Sequence, residues 1–109
     1  VYVSFSMVSL SFENLIKNSI DATNPEAGII ELRLDNTNSS ISIFFKDNGK
    51  GIKRKNWNDI FRPGFSTKKR GWGLGLSLTQ RIIEDIHKGT IVVTDSSKNG
   101  TTIKITFDK

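Results

Sequence analysis

The sequence predicts a two-layer α+β sandwich, in which helices pack on one face of a mixed, mainly antiparallel sheet. Residues 7–22 and 74–87 each carry apolar residues at helical spacing. The segments with strand character come in two close pairs, which favours hairpins over the βαβ units of a parallel, doubly wound sheet. The chain has 109 residues, of which 36% are hydrophobic and 25% charged, as expected for a single domain over residues 1–109.

The first predicted element is a helix over residues 7–22. Its apolar stripe is formed at helical spacing by Leu10, Leu15, Ile16 and Ile20. Residues 24–28 contain a proline and a glycine, which favour a turn after the helix. A hairpin is predicted next, with strands over residues 29–34 and 41–45 and a turn over residues 36–40.

The second half of the chain begins with residues 47–51, where an aspartate and two glycines end the preceding strand. A short helix is predicted over residues 53–60, and the second long helix over residues 74–87. The apolar residues of this long helix are Leu74, Leu78, Ile82 and Ile86. The last elements are two strands and the turn that joins them, over residues 90–94, 101–107 and 96–100.

Composition excludes several classes of protein. The chain has no cysteine, so it forms neither disulfides nor thiolate metal sites. Its apolar runs are shorter than the ~18–20 residues that span a membrane, and its first residues lack the charged region of a signal peptide. Because an initiator methionine is also missing, we expect a fragment of a longer protein. We expect a cytoplasmic location, whether or not the parent protein is membrane-anchored.

The net charge of +5 raises the question of nucleic-acid binding. The cations are concentrated in residues 50–55 and 68–70, each beside a glycine motif, and no long helix face is basic. The phosphates of a nucleotide account for the second cluster, whereas the first cluster has the alternative of a solvated surface. We therefore expect no nucleic-acid partner.

A glycine-rich run over residues 71–77 places three glycines at alternate positions at the start of the second long helix. Backbone amides at such a position bind phosphate, and three cations lie just before them. The pattern predicts a nucleotide polyphosphate site. A Rossmann motif would follow a strand, a Walker motif would end in GK[ST], and a protein-kinase glycine loop would be followed by an HRD segment; this sequence has none of these features.

Further motifs accompany the glycine run. Asn14 and Asn18 lie four residues apart, and hence on one face of the first helix. The segment DNGKGI occupies residues 47–52, FRPGFSTKK residues 61–69 and NGTT residues 99–102. In this order and spacing, the chain resembles the ATP-binding catalytic domain of sensor histidine kinases, within the superfamily that includes the type II topoisomerase, Hsp90 and MutL ATPase domains. The resemblance covers nearly the whole chain and implies a Bergerat-type fold with a mobile lid over ATP.

The resemblance implies ATP and Mg²⁺ as ligands. It makes Asn18 the metal ligand and a catalytic residue, with Asn14 beside it, and an amide oxygen suits an ion that already carries phosphate oxygens and waters. Many relatives carry a basic residue where this chain has Asp21, so Lys17 or the lid cations would supply that charge. The alternative is that both asparagines are solvated surface residues.

The resemblance assigns adenine recognition to Asp47, whose carboxylate would accept the exocyclic amino proton that the keto oxygen of guanine cannot supply. Gly49 and Gly51 would let the ligand approach the backbone, and Thr101 would support the aspartate or its bridging water. The alternatives are an aspartate that caps its own turn and an ordinary strand threonine.

The loop before the second long helix corresponds to the lid. By the resemblance Phe61 and Phe65 would anchor its hinges, with simple core anchors as the alternative. Lys68 would be a second catalytic residue at the phosphates, while Trp72 has no assigned role. The other nucleotide-binding residues that the resemblance implies are Ser66, Thr67, Gly71, Gly73, Leu74, Gly75 and Leu76.

One position favours a kinase over an ATPase. The ATPase members carry a glutamate four residues before the metal asparagine as the general base for water. Here that position is Asn14, and Glu13 is rotated from it by about 100° around the helix. An ATP-binding or ATPase module of the same superfamily remains the alternative.

The expected partners follow from the same resemblance. The sole histidine, His87, ends the second long helix, where a structural role is expected. The acceptor histidine would therefore lie on a separate helical domain of the parent kinase. A response regulator would act downstream, and the domain itself would not contact a membrane.

Overall fold

A computed structural model describes residues 5–23, 26–62 and 75–108. The helices are α1 Phe5–Ala22 and α2 Gly75–Gln80, and the strands are β1 Ile30–Asn36, β2 Ser40–Asp47, β3 Thr90–Ser97 and β4 Gly100–Asp108. The strands form one four-stranded sheet in the order β1-β2-β4-β3, and each neighbouring pair is antiparallel. The predicted order of elements and the predicted two-layer sandwich are confirmed, and the described part of the sheet is antiparallel throughout.

The inner face of the sheet carries the core. Strand pairing places Phe45 opposite Ile103, and Ile105 lies between Ile43 and Ile91. Side chains from the helices and from the segment after β2 complete the buried cluster, above all Leu15, Ile60, Phe61 and Ile83. No helix in the described ranges is long and apolar enough to cross a membrane.

The outer face of the sheet is largely polar, apart from the ring of Phe44 and the exposed side chain of Val92. Arg33 and Lys104 flank Phe44 in one row across the sheet, at 4.2 and 5.5 Å from the centroid of its ring. A cation over the face of an aromatic ring is attracted by the ring quadrupole, so the contacts of Arg33 and Lys104 stabilise Phe44 although this face of the sheet meets water. The helices therefore pack on one face only, as the sequence predicted.

The buried face of α1 differs from the predicted stripe. Among its described side chains, Ser11, Leu15 and Ser19 are buried. Leu15 and Ile16 of the predicted stripe pack in or against the core, whereas Leu10 and Ile20 are 41% and 56% exposed. The hydroxyl of Ser11 donates to the carbonyl of Met7 at 3.1 Å, so this serine is buried with its polar group satisfied. Apolar periodicity alone could not detect a buried face built around serines.

The second long helix changes its winding after α2. Residues Arg81–Ile86 form a π-helix, in which the N–H of His87 donates to the carbonyl of Ile82, five residues earlier, at 3.2 Å. Wider winding alters which side chains share a face. Within the π-helix, Ile82 and Ile83 are buried side by side and Ile86 is exposed. Leu78 of the predicted stripe, which lies in α2, is also exposed.

Two boundaries also differ from prediction. The short helix expected over residues 53–60 consists of two 3₁₀ turns, Arg54–Asn56 and Asp59–Phe61. β3 continues to Ser97 and β4 begins at Gly100, so the predicted turn over residues 96–100 shrinks to Lys98 and Asn99.

Candidate functional site

The structure describes one half of the predicted site. α1 carries Asn14, Lys17 and Asn18, the end of β2 carries Asp47, and β4 carries Thr101. Several predicted residues lie outside the described ranges, namely Phe65, Ser66, Thr67, Lys68, Lys69, Arg70, Gly71, Trp72, Gly73 and Leu74. The lid and the predicted phosphate contacts fall on these residues, and their roles stay predictions.

Asp47 is held at the end of β2 by backbone donors from two different segments. Its side chain is buried, with a relative exposure of 8% for the residue. The N–H of Gly49 donates to Oδ1 at 2.9 Å, and the N–H of Thr101 donates to the same oxygen at 3.3 Å. Both hydrogen bonds from the described residues thus end on Oδ1, which fixes the orientation of the carboxylate.

Thr101 reaches Asp47 because β2 and β4 are neighbours. The two residues are paired in the ladder although they are 54 positions apart in the chain. Gly100, with φ of +136°, precedes Thr101, and a Cβ added there would overlap the carbonyl oxygen of Asp47. Glycine is therefore required for the close approach that brings the Thr101 amide to the carboxylate.

Gly51 has a similar role on the other side of Asp47. Its φ is +81°, and an added Cβ would overlap the carbonyl oxygen of Ser97 in the β3–β4 hairpin. The sequence assigned this glycine to the approach of a ligand. In the structure, the close approach at Gly51 is made by the protein's own backbone, and its contact with a nucleotide remains a prediction.

Two site-forming residues were missed in the sequence. Ser96 accepts a hydrogen bond from the N–H of Ile52 at 2.6 Å, and its hydroxyl lies 2.7 Å from that of Thr101. Asn48 accepts from the N–H of Ile29 at 2.8 Å and donates to the carbonyl of Ala27 at 3.0 Å, which fastens the entry of β1 to the end of β2. Neither residue repeats a periodic pattern, so only strand register could reveal them.

The α1 residues lie along the edge of the buried helix face. Asn14 and Asn18 are half-buried, and both are next to the buried positions Ser11, Leu15 and Ser19. Glu13 is exposed and pairs with Lys17, with 3.3 Å between Oε1 and Nζ. The Glu13 carboxylate is therefore engaged in an ion pair at the helix surface, and Lys17 lies on the solvent side of the helix.

The other described residues with predicted roles are packed in the core or at its edge. Leu76 is half-buried against the core cluster, and Phe61 is buried within it. The Nδ1 of His87 lies 2.7 Å from the carbonyl oxygen of Ile82, and its ring meets Phe107 edge-on. These contacts give His87 a structural place at the end of the π-helix.

The segment that follows Gly49 is strongly basic. Its exposed cations are Lys50, Lys53, Arg54 and Lys55. Arg54 stacks on Trp57 at 4.5 Å from the ring centroid, and the Trp57 Nε1–H donates to the carbonyl of Ile52 at 3.0 Å. Positive charge on this side of the loop favours an anionic ligand over long range.

The polar groups of Asp47, Asn14 and Asn18 fit a nucleotide that carries a hard cation. A carboxylate oriented by two backbone N–H groups suits an amino proton on a heterocycle, and half-buried amide oxygens suit Mg²⁺. Among the described residues, no three His, Asp or Glu side chains come together in a group that could hold a metal.

Comparison with known proteins agrees with this geometry. The family described as "Histidine kinase-, DNA gyrase B-, and HSP90-like ATPase" matches residues 7–109. Sporulation kinase A of Bacillus subtilis is 40% identical over 98 residues, which are 90% of this chain and 16% of that protein. Sensor histidine kinase ZraS of Escherichia coli K12 is 36% identical over 92 residues, or 84% of this chain and 19% of ZraS.

A solved structure shows the same fold. The nucleotide-free catalytic domain of histidine kinase ThkA superimposes with a TM-score of 0.87 at 31% identity, covering 98% of this chain and 70% of that one. This chain thus spans less than a fifth of the two full-length relatives named above and most of a catalytic domain. It belongs to the histidine kinase-, DNA gyrase B- and HSP90-like ATPase family and has the fold of a histidine kinase catalytic domain.

Proposed function

We propose that this domain binds Mg-ATP and transfers its γ-phosphate to a histidine on a separate helical domain of the parent kinase. A response regulator is the expected receiver of that phosphoryl group. The observation that carries the proposal is the Asp47 carboxylate, buried at a strand end and oriented by the Gly49 and Thr101 amides. Family membership and the likeness to sensor kinases support the reaction.

Adenine recognition is assigned to Asp47. With Oδ1 occupied by two N–H donors, Oδ2 accepts the exocyclic amino proton of adenine. Guanine presents a keto oxygen at that position, which would oppose a carboxylate oxygen. A site built around a polar group of the correct ligand rejects analogues that leave its own polar atoms unpaired, so ATP is preferred over GTP.

Phosphate binding is assigned to α1 and to the loop before α2. Asn18 would hold Mg²⁺ through its amide oxygen, with Asn14 next to it, and the ion would neutralise charge on the β- and γ-phosphates. Lys68 and the amides at Gly71, Gly73 and Gly75 would orient the triphosphate, with Ser66 and Thr67 beside it. Lys17 would join them only by leaving its contact with Glu13.

The position from which a glutamate would activate water carries an asparagine in this chain. Asn14 occupies the position from which a glutamate would act, and an amide does not accept a proton at neutral pH. Glu13 is at the surface, paired with Lys17. ATP is therefore kept intact until an acceptor imidazole reaches the γ-phosphorus in line, and the catalytic contribution of the chain is positioning and charge neutralisation.

The decisive experiment mixes the domain with γ-labelled ATP, Mg²⁺ and a histidine-bearing helical domain of a histidine kinase. Acid-labile label on the helical domain, absent when its histidine is replaced by glutamine, is the expected result. Asn18→Ala should prevent labelling, whereas Asn99→Ala, a change in the exposed β3–β4 turn, should leave it intact. Rapid phosphate release without an acceptor would assign the chain to the ATPases instead.

A further inference from the structure

A β-bulge in β3 decides which side chain faces the candidate site. Val93 pairs with Ile103, but Asp95 pairs with Thr102, so Thr94 is the additional residue of the bulge. In an unbroken ladder, Asp95 would stand opposite Thr101 on the inner face, beside Asp47. Because a shift of one residue reverses the two faces of a strand, Ser96 takes that place and Asp95 turns outward.

Ser96 joins the two segments that surround Asp47. Its Oγ accepts a hydrogen bond from the N–H of Ile52, the residue that ends the loop after β2, at 2.6 Å. The same Oγ lies 2.7 Å from the Thr101 hydroxyl oxygen on β4. The same loop is held at its start by the bond from the Gly49 N–H to Asp47. The loop is therefore fastened at both ends, once to Asp47 and once to Ser96.

The contact between Ser96 and Thr101 links the two hydroxyl groups. The Ser96 oxygen accepts from the Ile52 N–H and lies 2.7 Å from Thr101 Oγ1, and either hydroxyl of this pair can donate to the other. Donation in either direction holds the Thr101 side chain against β3. An aspartate at this place would instead require both neighbouring groups to donate and would add a second carboxylate beside Asp47.

We propose that Ser96 is a positioning residue for adenine recognition, which sets the path of the loop after β2 and holds the Thr101 side chain in place. This inference rests on the proposed function, because it concerns how Asp47 and Thr101 are presented to the base. Ser96 need not touch the nucleotide. Its effect is transmitted through Ile52 and Thr101.

The test compares Ser96→Ala with Ser96→Thr, which retains the hydroxyl. Ser96→Ala should weaken ATP binding in calorimetry about 3- to 10-fold, as for one ordinary hydrogen bond, and should lower the preference for ATP over GTP. Ser96→Thr should restore both. Exchange of the Ile52 amide hydrogen, followed by NMR without ligand, should be at least about fivefold faster in Ser96→Ala for the same reason.

Two matched controls remove a serine hydroxyl elsewhere. Ser97→Ala changes the next residue, whose hydroxyl accepts from the Asn99 N–H within the turn. Ser42→Ala removes a hydroxyl contact of the same kind between β2 and β4, where the Ser42 hydroxyl lies 3.2 Å from that of Thr106. Neither control should change nucleotide preference or the Ile52 exchange rate.

The outcomes separate this inference from the proposed function. Equal affinity of the unchanged protein for ATP and GTP would reject adenine recognition by Asp47, and with it the role of Ser96. If ATP is preferred but Ser96→Ala keeps that preference, Ser96 is only structural. An unchanged Ile52 exchange rate would also overturn the inference, because the loop would then be held by other contacts.

Discussion

Replacing Asp47 by asparagine isolates the atom that faces the base. The amide oxygen of asparagine can accept from the Gly49 and Thr101 N–H groups, as Oδ1 does at 2.9 and 3.3 Å. The amide nitrogen then replaces Oδ2. Asp47→Asn therefore keeps the local backbone bonds and exchanges one acceptor for a donor, which would oppose the amino group of adenine.

The expected loss follows from that exchange. Leaving a buried partner unpaired costs about 1–3 kcal/mol, which corresponds to roughly 5- to 140-fold weaker binding of ATP. Adenosine should show a similar loss, since the effect concerns the base. The preference for ATP over GTP should fall as well, because guanine would meet a donor instead of a carboxylate oxygen.

The sign of the effect distinguishes recognition from long-range electrostatics. Removing a negative charge near a polyphosphate should strengthen binding if only the overall field mattered. Asp95→Asn supplies that control, because Asp95 is exposed and the bulge turns it to the outer side of β3. Isothermal calorimetry on both variants, with ATP, GTP and adenosine, makes the comparison.

Stability measurements complete this test. Asp47→Ala leaves the Gly49 and Thr101 amides without their acceptor, so it should lower the free energy of unfolding by at least about 1–3 kcal/mol. That loss corresponds to a fall in Tm of roughly 4–8 °C per kcal/mol for a chain of this size. Asp47→Asn should change Tm much less. ATP affinity that is unchanged or increased in Asp47→Asn would refute the assignment of Asp47 to the base.

Three further predictions concern the metal, the Asn14 position and the backbone. Asn18→Ala should abolish the Mg²⁺ dependence of ATP binding and spare adenosine; an unaltered response to EDTA would contradict its role as ligand. The unchanged domain should hydrolyse ATP negligibly, and Asn14→Glu should raise the rate of phosphate release several-fold. A coupled phosphate assay measures this rate, with Asn14→Gln as the control. Gly100→Ala should lower Tm strongly in thermal unfolding, because the added Cβ would overlap the carbonyl oxygen of Asp47. Lys98→Ala, in the adjoining turn, should have little effect. Equal Tm values for the two variants would refute the role given to Gly100.

Local patterns in the sequence were sufficient for the order of elements. The strand segments alternate over a few residues and the helical segments repeat over three or four, so each is visible within a short window. The Asp47 and Thr101 motifs could also be identified locally, as a strand end and a glycine before a strand. Local pattern does not show their contact, which the family resemblance implied; it depends on β2 pairing with β4 across 54 positions, and the Thr101 N–H makes it.

Tertiary packing decided which faces are buried and which side chain completes the site. Ser11 and Ser19 are buried in α1, and the Ser11 hydroxyl is satisfied by the Met7 carbonyl, which hydrophobic spacing does not register. Ser96 faces Thr101 only because one extra residue in β3 shifts the ladder. Strand alternation is a property of the sequence, but its phase relative to a neighbouring strand exists only once the two strands are paired.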